Sequence, residues 1–100
     1  MGKSDKRFTR VIARNEEEKK SLTKRLNILE GQIVGLKKMI EEDRLTDDIL
    51  IQVSAINKSL KSFGNVLLKE HLTTCVSKDL RSGRYDVVDD VIEMFNMLNK

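Results

Sequence analysis

The sequence predicts an all-α protein with one domain. A length of 100 residues is typical of a single domain. The chain contains no proline, 35% of its residues are charged and 4% are aromatic, a composition typical of helical proteins. Two long stretches carry apolar residues at alternating steps of four and three, which is the spacing of a helix seam. We expect two long antiparallel helices and a short third helix, dimerising into a four-helix bundle that assembles as a dimer of dimers.

Residues 1–16 are predicted to form a basic arm outside the helical domain, which we place at 17–100. Residues 1–25 hold nine Lys/Arg against four Asp/Glu, whereas residues 26–100 hold ten against twelve. A basic segment on a nearly neutral body favours a polyanionic partner, most often nucleic acid. A solubilising tail is the alternative.

The first helix is predicted over about residues 17–43. Its end falls in the acidic run Glu41–Asp43, where negative charge opposes the helix dipole and favours termination. Its seam repeats the 4, 3, 4, 3, 4 spacing. The seam positions are Leu22, Leu26, Leu29, Ile33, Leu36 and Ile40.

The second helix is predicted over about residues 46–78. Thr46 can act as its N-cap, and Asp47 and Asp48 fall in the first turn, where negative charge is favoured. The seam continues through His71 to Cys75, so both lie on an apolar face. The preceding seam positions are Ile49, Val53, Ile56, Leu60, Phe63 and Leu67.

The third helix is predicted to follow the break at Gly83, with Asp86 as its N-cap. A single hairpin with one short helix leaves much of each long seam exposed, so we expect at least a homodimer.

His71 and Cys75 are the only histidine and the only cysteine, and a spacing of four puts them on one helix face. An imidazole and a thiol are half of a site for copper, zinc or nickel, and another helix or subunit must supply the remaining ligands. Packing of both side chains in the seam is the alternative. The acidic residues at 41–43 and 47–48 could supply oxygen ligands or act only as turn and cap residues.

The sequence argues against an enzyme. It has no P-loop, no GxGxxG pattern and no Ser/His/Asp arrangement, and an i, i+4 pair on a bundle helix offers no oxyanion hole. The basic residues include Lys58 and Lys61, which share a helix face, and no compact helix-turn-helix is indicated. An ordinary solvated face is the alternative.

Several short motifs follow one another along the two long helices. They are RLNILEGQ at 25–32, Gly35, MIEED at 39–43, ILIQVSAI at 49–56 and EHLTTCV at 70–76. In this order and at these separations, the motifs resemble the copper-sensing operon repressor family (CsoR/RcnR/FrmR). The resemblance covers about residues 21–98.

The resemblance implies all-helical dimers that pair into flat tetramers and bind double-stranded operator DNA through basic faces. An inducer at the dimer interface, either a metal ion or a thiol-reactive species, lowers DNA affinity. The family's DNA-contacting arginine corresponds to Arg25, and a second basic position corresponds to Lys61. Lys58, Lys24 and Lys37 are further candidates for DNA contact.

The copper sensors of this family use a Cys, His, Cys site. Its histidine and second cysteine correspond to His71 and Cys75, but the first cysteine corresponds to Thr46. A threonine hydroxyl is a poor substitute for sulfur at copper(I). The formaldehyde sensors use the same first cysteine, and the persulfide sensors need two cysteines.

We therefore predict a cytoplasmic DNA-binding transcriptional repressor with an altered inducer site and no membrane segment. A helical metal-binding or thiol-redox module without DNA binding is the alternative, and a partner-binding bundle is a third.

Overall fold

The computed structural model describes residues 12–99 and confirms the all-α prediction. No strand occurs in this range, and none of its helices is long and apolar enough to cross a membrane. The predicted arm at 1–16 therefore lies largely outside the described residues. The helical elements are α1 (Glu16–Glu41), α2 (Thr46–His71), a π-helical turn (Leu72–Val76), α3 (Ser77–Arg81) and α4 (Val87–Leu98).

The start of α1 is fixed by Asn15, which the seam pattern alone does not reveal. The Asn15 side-chain oxygen accepts a hydrogen bond from the Glu18 backbone N–H at 2.8 Å. The Asn15 amide in turn donates to the Glu18 carboxylate at 3.1 Å. The first bond satisfies the Glu18 N–H, one of the backbone donors that the first helical turn leaves free, and the second holds the two side chains together.

The α1–α2 connection is a tight turn in which Asp43 adopts a left-handed backbone with φ 53°. The backbone N–H groups of Asp43 and Arg44 donate to the carbonyls of Ile40 and Met39, which is the Schellman arrangement. The prediction of Thr46 as N-cap is wrong. Leu45 is the extended residue at that position and no side chain caps the helix, so Thr46 is already the first helical residue.

The apolar seam of α1 divides into two columns with different environments. Leu22 and Leu29 are 8% and 6% exposed, and they pack where α1 meets α2. Ile33 and Ile40 belong to the other column and remain 46% and 59% exposed. One protomer therefore covers only one column of the seam.

The predicted continuous helix over 46–78 is interrupted. Regular α-helix ends at His71, and Leu72–Val76 form a π-helical turn before α3 begins at Ser77. The turn contains Thr73 and Thr74, whose hydroxyls compete with backbone donors for carbonyl oxygens.

The chain then folds back so that α4 packs against α2. Gly83, with φ 85°, ends α3, and the Arg84 N–H donates to the Asp79 carbonyl. Asp86 precedes α4 as predicted, although its carboxylate accepts from the Arg84 guanidinium at 3.3 Å and does not cap the helix. Farther along, the Leu98 side chain lies against Gly64, with no room between them for a Cβ on the glycine.

Candidate metal centre and nucleic-acid interface

His71 and Cys75 line one small cavity, so the predicted pair is brought together. The cavity has a volume of about 160 Å³, and both side chains are half-buried. It is bordered by α1, the end of α2, the π-turn and the segment before α1. The other lining residues are Ile12, Ala13, Arg14, Glu18, Glu70, Thr74 and Lys78.

The π-turn gives this site an irregular backbone. The hydroxyls of Thr73 and Thr74 both donate to the Glu70 carbonyl, at 3.1 and 2.7 Å. The Thr74 hydroxyl also lies 3.7 Å from the Cys75 sulfur. Single π-turns inside helices occur frequently at functional sites, and this one begins directly after His71 and contains Cys75.

Glu70 adds an unusual carboxylate to the same cavity. Its Oε2 atom is buried, and it has no hydrogen-bond partner among the described residues. A buried polar atom without a hydrogen-bond partner is costly in free energy.

One protomer supplies only part of a conventional metal site. Within residues 12–99, no three His, Cys, Asp or Glu side chains are placed to hold one ion. Thr46, at the position of the missing cysteine, begins α2, whereas His71 ends it. Their separation of 25 residues corresponds to about 37 Å of helix, so Thr46 can approach the pair only from another copy of the chain.

A second cavity adjoins His71 on the side facing α4. It has a volume of about 300 Å³ and is mainly apolar. His71 borders both cavities, and so does Arg14, from the segment before α1. The other lining residues are Gly64, Leu67, Leu68, Met94 and Leu98.

The candidate DNA-contacting residues meet in two adjoining grooves. One groove brings Arg25 of α1 beside Lys58, and the other contains both Lys58 and Lys61. Ser62 also lines both grooves, which joins them into one surface. Lys24 and Lys37 of α1 are exposed but lie outside both grooves.

Lys69 and Asn65 extend this surface along α2, and the sequence interpretation did not include them. Both line the groove of Lys58 and Lys61, and both are exposed. Asn65 and Lys69 follow Lys58 by 7 and 11 residues, respectively, which at 100° per residue keeps both within about 20° of its direction. Among residues 12–99, no acidic side chain lines either groove. We name this surface, formed by Arg25, Lys58, Lys61, Ser62, Asn65 and Lys69, the cationic stripe.

The fold and these two surfaces describe a small helical protein that combines a thiol–imidazole pair with a separate cationic face. Residues 18–97 match the family model described as "Metal-sensitive transcriptional repressor". The chain belongs to this family of transcriptional repressors, which are not enzymes. The resemblance stated from the sequence motifs is thereby confirmed.

Individual relatives agree with this assignment. The chain is 33% identical over 88 residues to the copper-sensing transcriptional repressor CsoR of Bacillus subtilis, covering 87% of each chain. It is 42% identical over 67 residues to the copper-sensing transcriptional repressor RicR of Mycobacterium tuberculosis, covering 67% of this chain and 70% of the relative.

Two solved structures share the fold. The copper-sensing repressor CsoR with Cu(I) from Geobacillus thermodenitrificans superposes with a TM-score of 0.80 at 36% identity, covering 90% of this chain and 95% of that one. The nickel-responsive transcriptional regulator InrS gives a TM-score of 0.70 at 27% identity, covering 89% and 99%. Transition-metal sensing is thus shared by relatives that respond to different metals.

Proposed function

We propose that this repressor binds double-stranded operator DNA through the cationic stripe and that a transition-metal ion at His71 and Cys75 weakens this binding. The observation that carries the proposal is the arrangement of α2. Lys58 and Lys61 line its basic face, and His71 and Cys75 follow at its end, where they line a separate cavity. One helix therefore connects the two sites.

The cationic stripe has the chemistry of a phosphate-binding surface. Lysine and arginine attract the DNA backbone, and neutral donors such as Ser62 and Asn65 can hydrogen-bond to phosphate or sugar. Lys61 occupies a position where arginine is frequent in the family, so it keeps the charge but loses bidentate geometry. Lys24 and Lys37 lie outside the grooves, and we propose them as peripheral phosphate contacts.

The metal would be held by the imidazole of His71 and the thiolate of Cys75. These donor atoms suit copper, zinc or nickel. A bound ion would hold the imidazole and the thiolate within coordination distance of one point. The Glu70 carboxylate borders the same cavity and adds negative charge beside a cation. Because the pair lies at the π-turn, drawing its side chains together changes the backbone at the end of α2.

We further propose that the chain acts as a homodimer or homotetramer in the cytoplasm. The second column of the α1 seam supports assembly, since Leu26, Ile33 and Ile40 leave an apolar face exposed. An antiparallel partner would also bring Thr46 of one copy toward His71 of another. The 17–100 segment would form one repressor domain, and the basic segment at 1–16 would add further phosphate contacts.

The salt dependence of DNA binding tests the cationic stripe. The probe is a dye-labelled duplex of about 40 base pairs from the region upstream of the chain's own gene, compared with a shuffled duplex. Four phosphate contacts per protomer give a slope of about −3.6 in log K against log salt, or roughly 150-fold between 50 and 200 mM.

Arg25→Ala and Lys61→Ala should each lower this slope by about one for every protomer engaged. Lys38→Ala is the matched control, because Lys38 is an exposed residue about 220° around α1 from Arg25. If Arg25→Ala, Lys61→Ala and Lys38→Ala all show the same salt slope for DNA binding, the cationic stripe is not the DNA-binding surface. Equal affinity for the two duplexes would remove the upstream region as the operator.

Metal response is measured on the same complex by adding Cu(I), Zn(II) or Ni(II) separately. The inducing ion should lower affinity by about 5- to 150-fold, corresponding to a coupling free energy of 1–3 kcal/mol. His71→Ala and Cys75→Ala should bind DNA normally and lose the response. Retention of the full response in Cys75→Ala would exclude the thiol from the site.

A further inference from the structure

We propose that Arg81 of α3 binds a phosphate of double-stranded DNA in line with the cationic stripe, and that the π-turn sets this alignment. The inference rests on the proposed function, because it adds a contact to the proposed DNA surface. Arg81 is exposed, and among residues 12–99 its guanidinium makes no ion pair. It is therefore available to an anionic partner.

The helix continues through the π-turn without a break. Leu72 joins α2 to the turn and Ser77 joins the turn to α3, and both keep right-handed helical backbone angles. Residues 46–81 therefore form one rod of about 54 Å at 1.5 Å per residue. This length agrees with the longest dimension of the described chain, which is 56 Å. Directions around the rod can thus be compared on the two sides of the turn.

The π-turn contains one residue more than a turn of α-helix. The Ser77 backbone N–H donates to the Leu72 carbonyl, five residues back, whereas an α-helix reaches back four. One extra residue shifts the residues after it by about 100° around the axis, relative to an uninterrupted helix. Arg81 follows Lys69 by 12 residues, so an uninterrupted helix would separate them by about 120°. With the extra residue, Arg81 lies within about 20° of Lys69.

The burial of Val76 agrees with this shift. Val76 is 4% exposed, and the π-turn to which it belongs packs against α4. Gly64, which contacts Leu98 of α4, precedes Val76 by 12 residues. An uninterrupted helix would separate their directions by about 120°, but the extra residue brings Val76 within about 20° of Gly64. The shift that turns Val76 toward α4 is therefore the one that aligns Arg81 with Lys69.

Lys78 provides a second check on the same shift. It lines the 160 Å³ cavity together with Glu70 of α2 and Glu18 of α1. Lys78 follows Glu70 by eight residues, which an uninterrupted helix would turn about 80° apart. The extra residue reduces this angle to about 20°, so both side chains reach one cavity beside α1.

Ser77 lies on the same line, between Lys69 and Arg81. It follows Lys69 by eight residues, and the extra residue reduces their angular separation from about 80° to about 20°. The line therefore continues the steps of seven and four residues that join Lys58, Asn65 and Lys69. Arg81 lengthens it from about 17 to about 34 Å, which is close to one helical turn of B-DNA. A hydroxyl and a guanidinium are both groups that bind phosphate.

The test measures the salt slope of DNA binding for Arg81→Ala on the dye-labelled upstream duplex. Loss of one phosphate contact should lower the slope by about 0.9 for every protomer engaged, so the ratio of affinities at 50 and 200 mM salt should fall about 3.5-fold. Arg81→Lys keeps the charge and should keep the parent slope. Arg84→Ala is the matched control and should also keep it, because Arg84 is exposed but already paired with Asp86 at 3.3 Å.

A gain of charge tests the alignment itself. Ser77→Lys places a cation on the line and should raise the salt slope by about 0.9 for every protomer engaged. Ser77 is half-buried, but a lysine stem can lie along the helix surface while its ammonium reaches solvent. Ser82→Lys adds the same charge just after α3 ends and should leave the slope unchanged. Equal slopes for the two lysine variants would overturn the alignment.

The outcomes separate this inference from the proposed function. If Arg25→Ala and Lys61→Ala lower the salt slope but Arg81→Ala keeps it, the cationic stripe stands and Arg81 is not a contact. If Arg81→Ala and Arg84→Ala lower the slope equally, the effect is one of net charge and the specific contact is refuted. If none of these variants changes the slope, the proposed DNA surface is wrong and the role of Arg81 falls with it.

Discussion

The close packing of Gly64 against Leu98 makes Gly64→Ala a sharp probe of how α4 is held. An added Cβ would lie 2.5 Å from Leu98 Cδ1, 3.0 Å from Cδ2 and 3.3 Å from Cγ. Because Cδ1 would be closer than a real Cβ contact allows, the branched end of the Leu98 side chain must shift. Since Leu98 and His71 line the same 300 Å³ cavity, this movement changes the cavity beside the candidate metal centre.

Two opposing contributions determine the effect of Gly64→Ala on stability. Overpacking costs about 1–3 kcal/mol, and alanine in place of glycine inside a helix gains about 1 kcal/mol. The net change in the free energy of unfolding is therefore a loss of about 0–2 kcal/mol. Gly31→Ala is the reference, because a Cβ there meets nothing within 4 Å in the protomer and only the helix gain remains.

The difference between the two variants should therefore be about 1–3 kcal/mol, or roughly 4–24 °C in Tm for a domain of this size. Urea unfolding at fixed protomer concentration is the assay, since assembly makes stability depend on concentration. A double-mutant cycle with Leu98→Ala should show that shortening Leu98 relieves the penalty. Equal stability of Gly64→Ala and Gly31→Ala would refute the close packing.

Three further predictions concern the backbone, each checked by the measurement named. Asp43→Gly should stabilise the protein by about 0.5–1 kcal/mol in urea unfolding, because it relieves a left-handed backbone and removes negative charge at a helix C-terminus. Gly83→Ala should destabilise it by about 1–2 kcal/mol in the same assay, since φ 85° strains any side chain, and an unchanged midpoint would contradict this. The double variant Thr73→Val, Thr74→Val should slow amide hydrogen exchange over residues 72–77, because its side chains no longer donate to the Glu70 carbonyl. An unchanged exchange rate would show that the two threonine hydroxyls do not loosen the π-turn.

The seam spacing was sufficient to predict the helices because it follows directly from the need to bury one apolar face of each helix. A stripe of apolar residues must be covered, and Leu22 and Leu29 are covered by α2. The same spacing could not indicate which column a protomer covers and which it leaves for another copy. That distinction depends on the angle at which α2 packs, and local sequence does not specify that angle.

Local backbone details were predicted less well where two mechanisms compete. Thr46 has a suitable N-cap side chain, but the turn through Asp43 makes Leu45 the extended residue. The π-turn leaves the apolar periodicity almost unchanged, so His71 and Cys75 still share a surface although the helix between them is irregular.

The sequence predicted those contacts of the candidate site that lie between residues close together in the chain. Lys58 and Lys61 are a pair within α2, and His71 and Cys75 span the end of α2 and the π-turn that follows it; both pairs are brought together. Lys69 could have been found from its spacing of 11 residues after Lys58. Met94 and Arg14 could not, because they reach His71 only through the packing of α4 and of the segment before α1.

The arrangement of α2 explains why a signal at His71 would reach DNA without a long pathway. Lys69 is the last cation of the cationic stripe and precedes His71 by two residues, about 200° around the helix. Ligation at His71 on one face would therefore act on the same turn of backbone as the proposed phosphate contact of Lys69 on the other face. By linkage, DNA that favours one arrangement of this turn must weaken ligand binding by the same factor as the ligand weakens DNA binding. The π-turn lies directly beyond this turn of helix. Under the proposed function, the end of α2, more than its middle, is thus where the metal and DNA sites would be coupled.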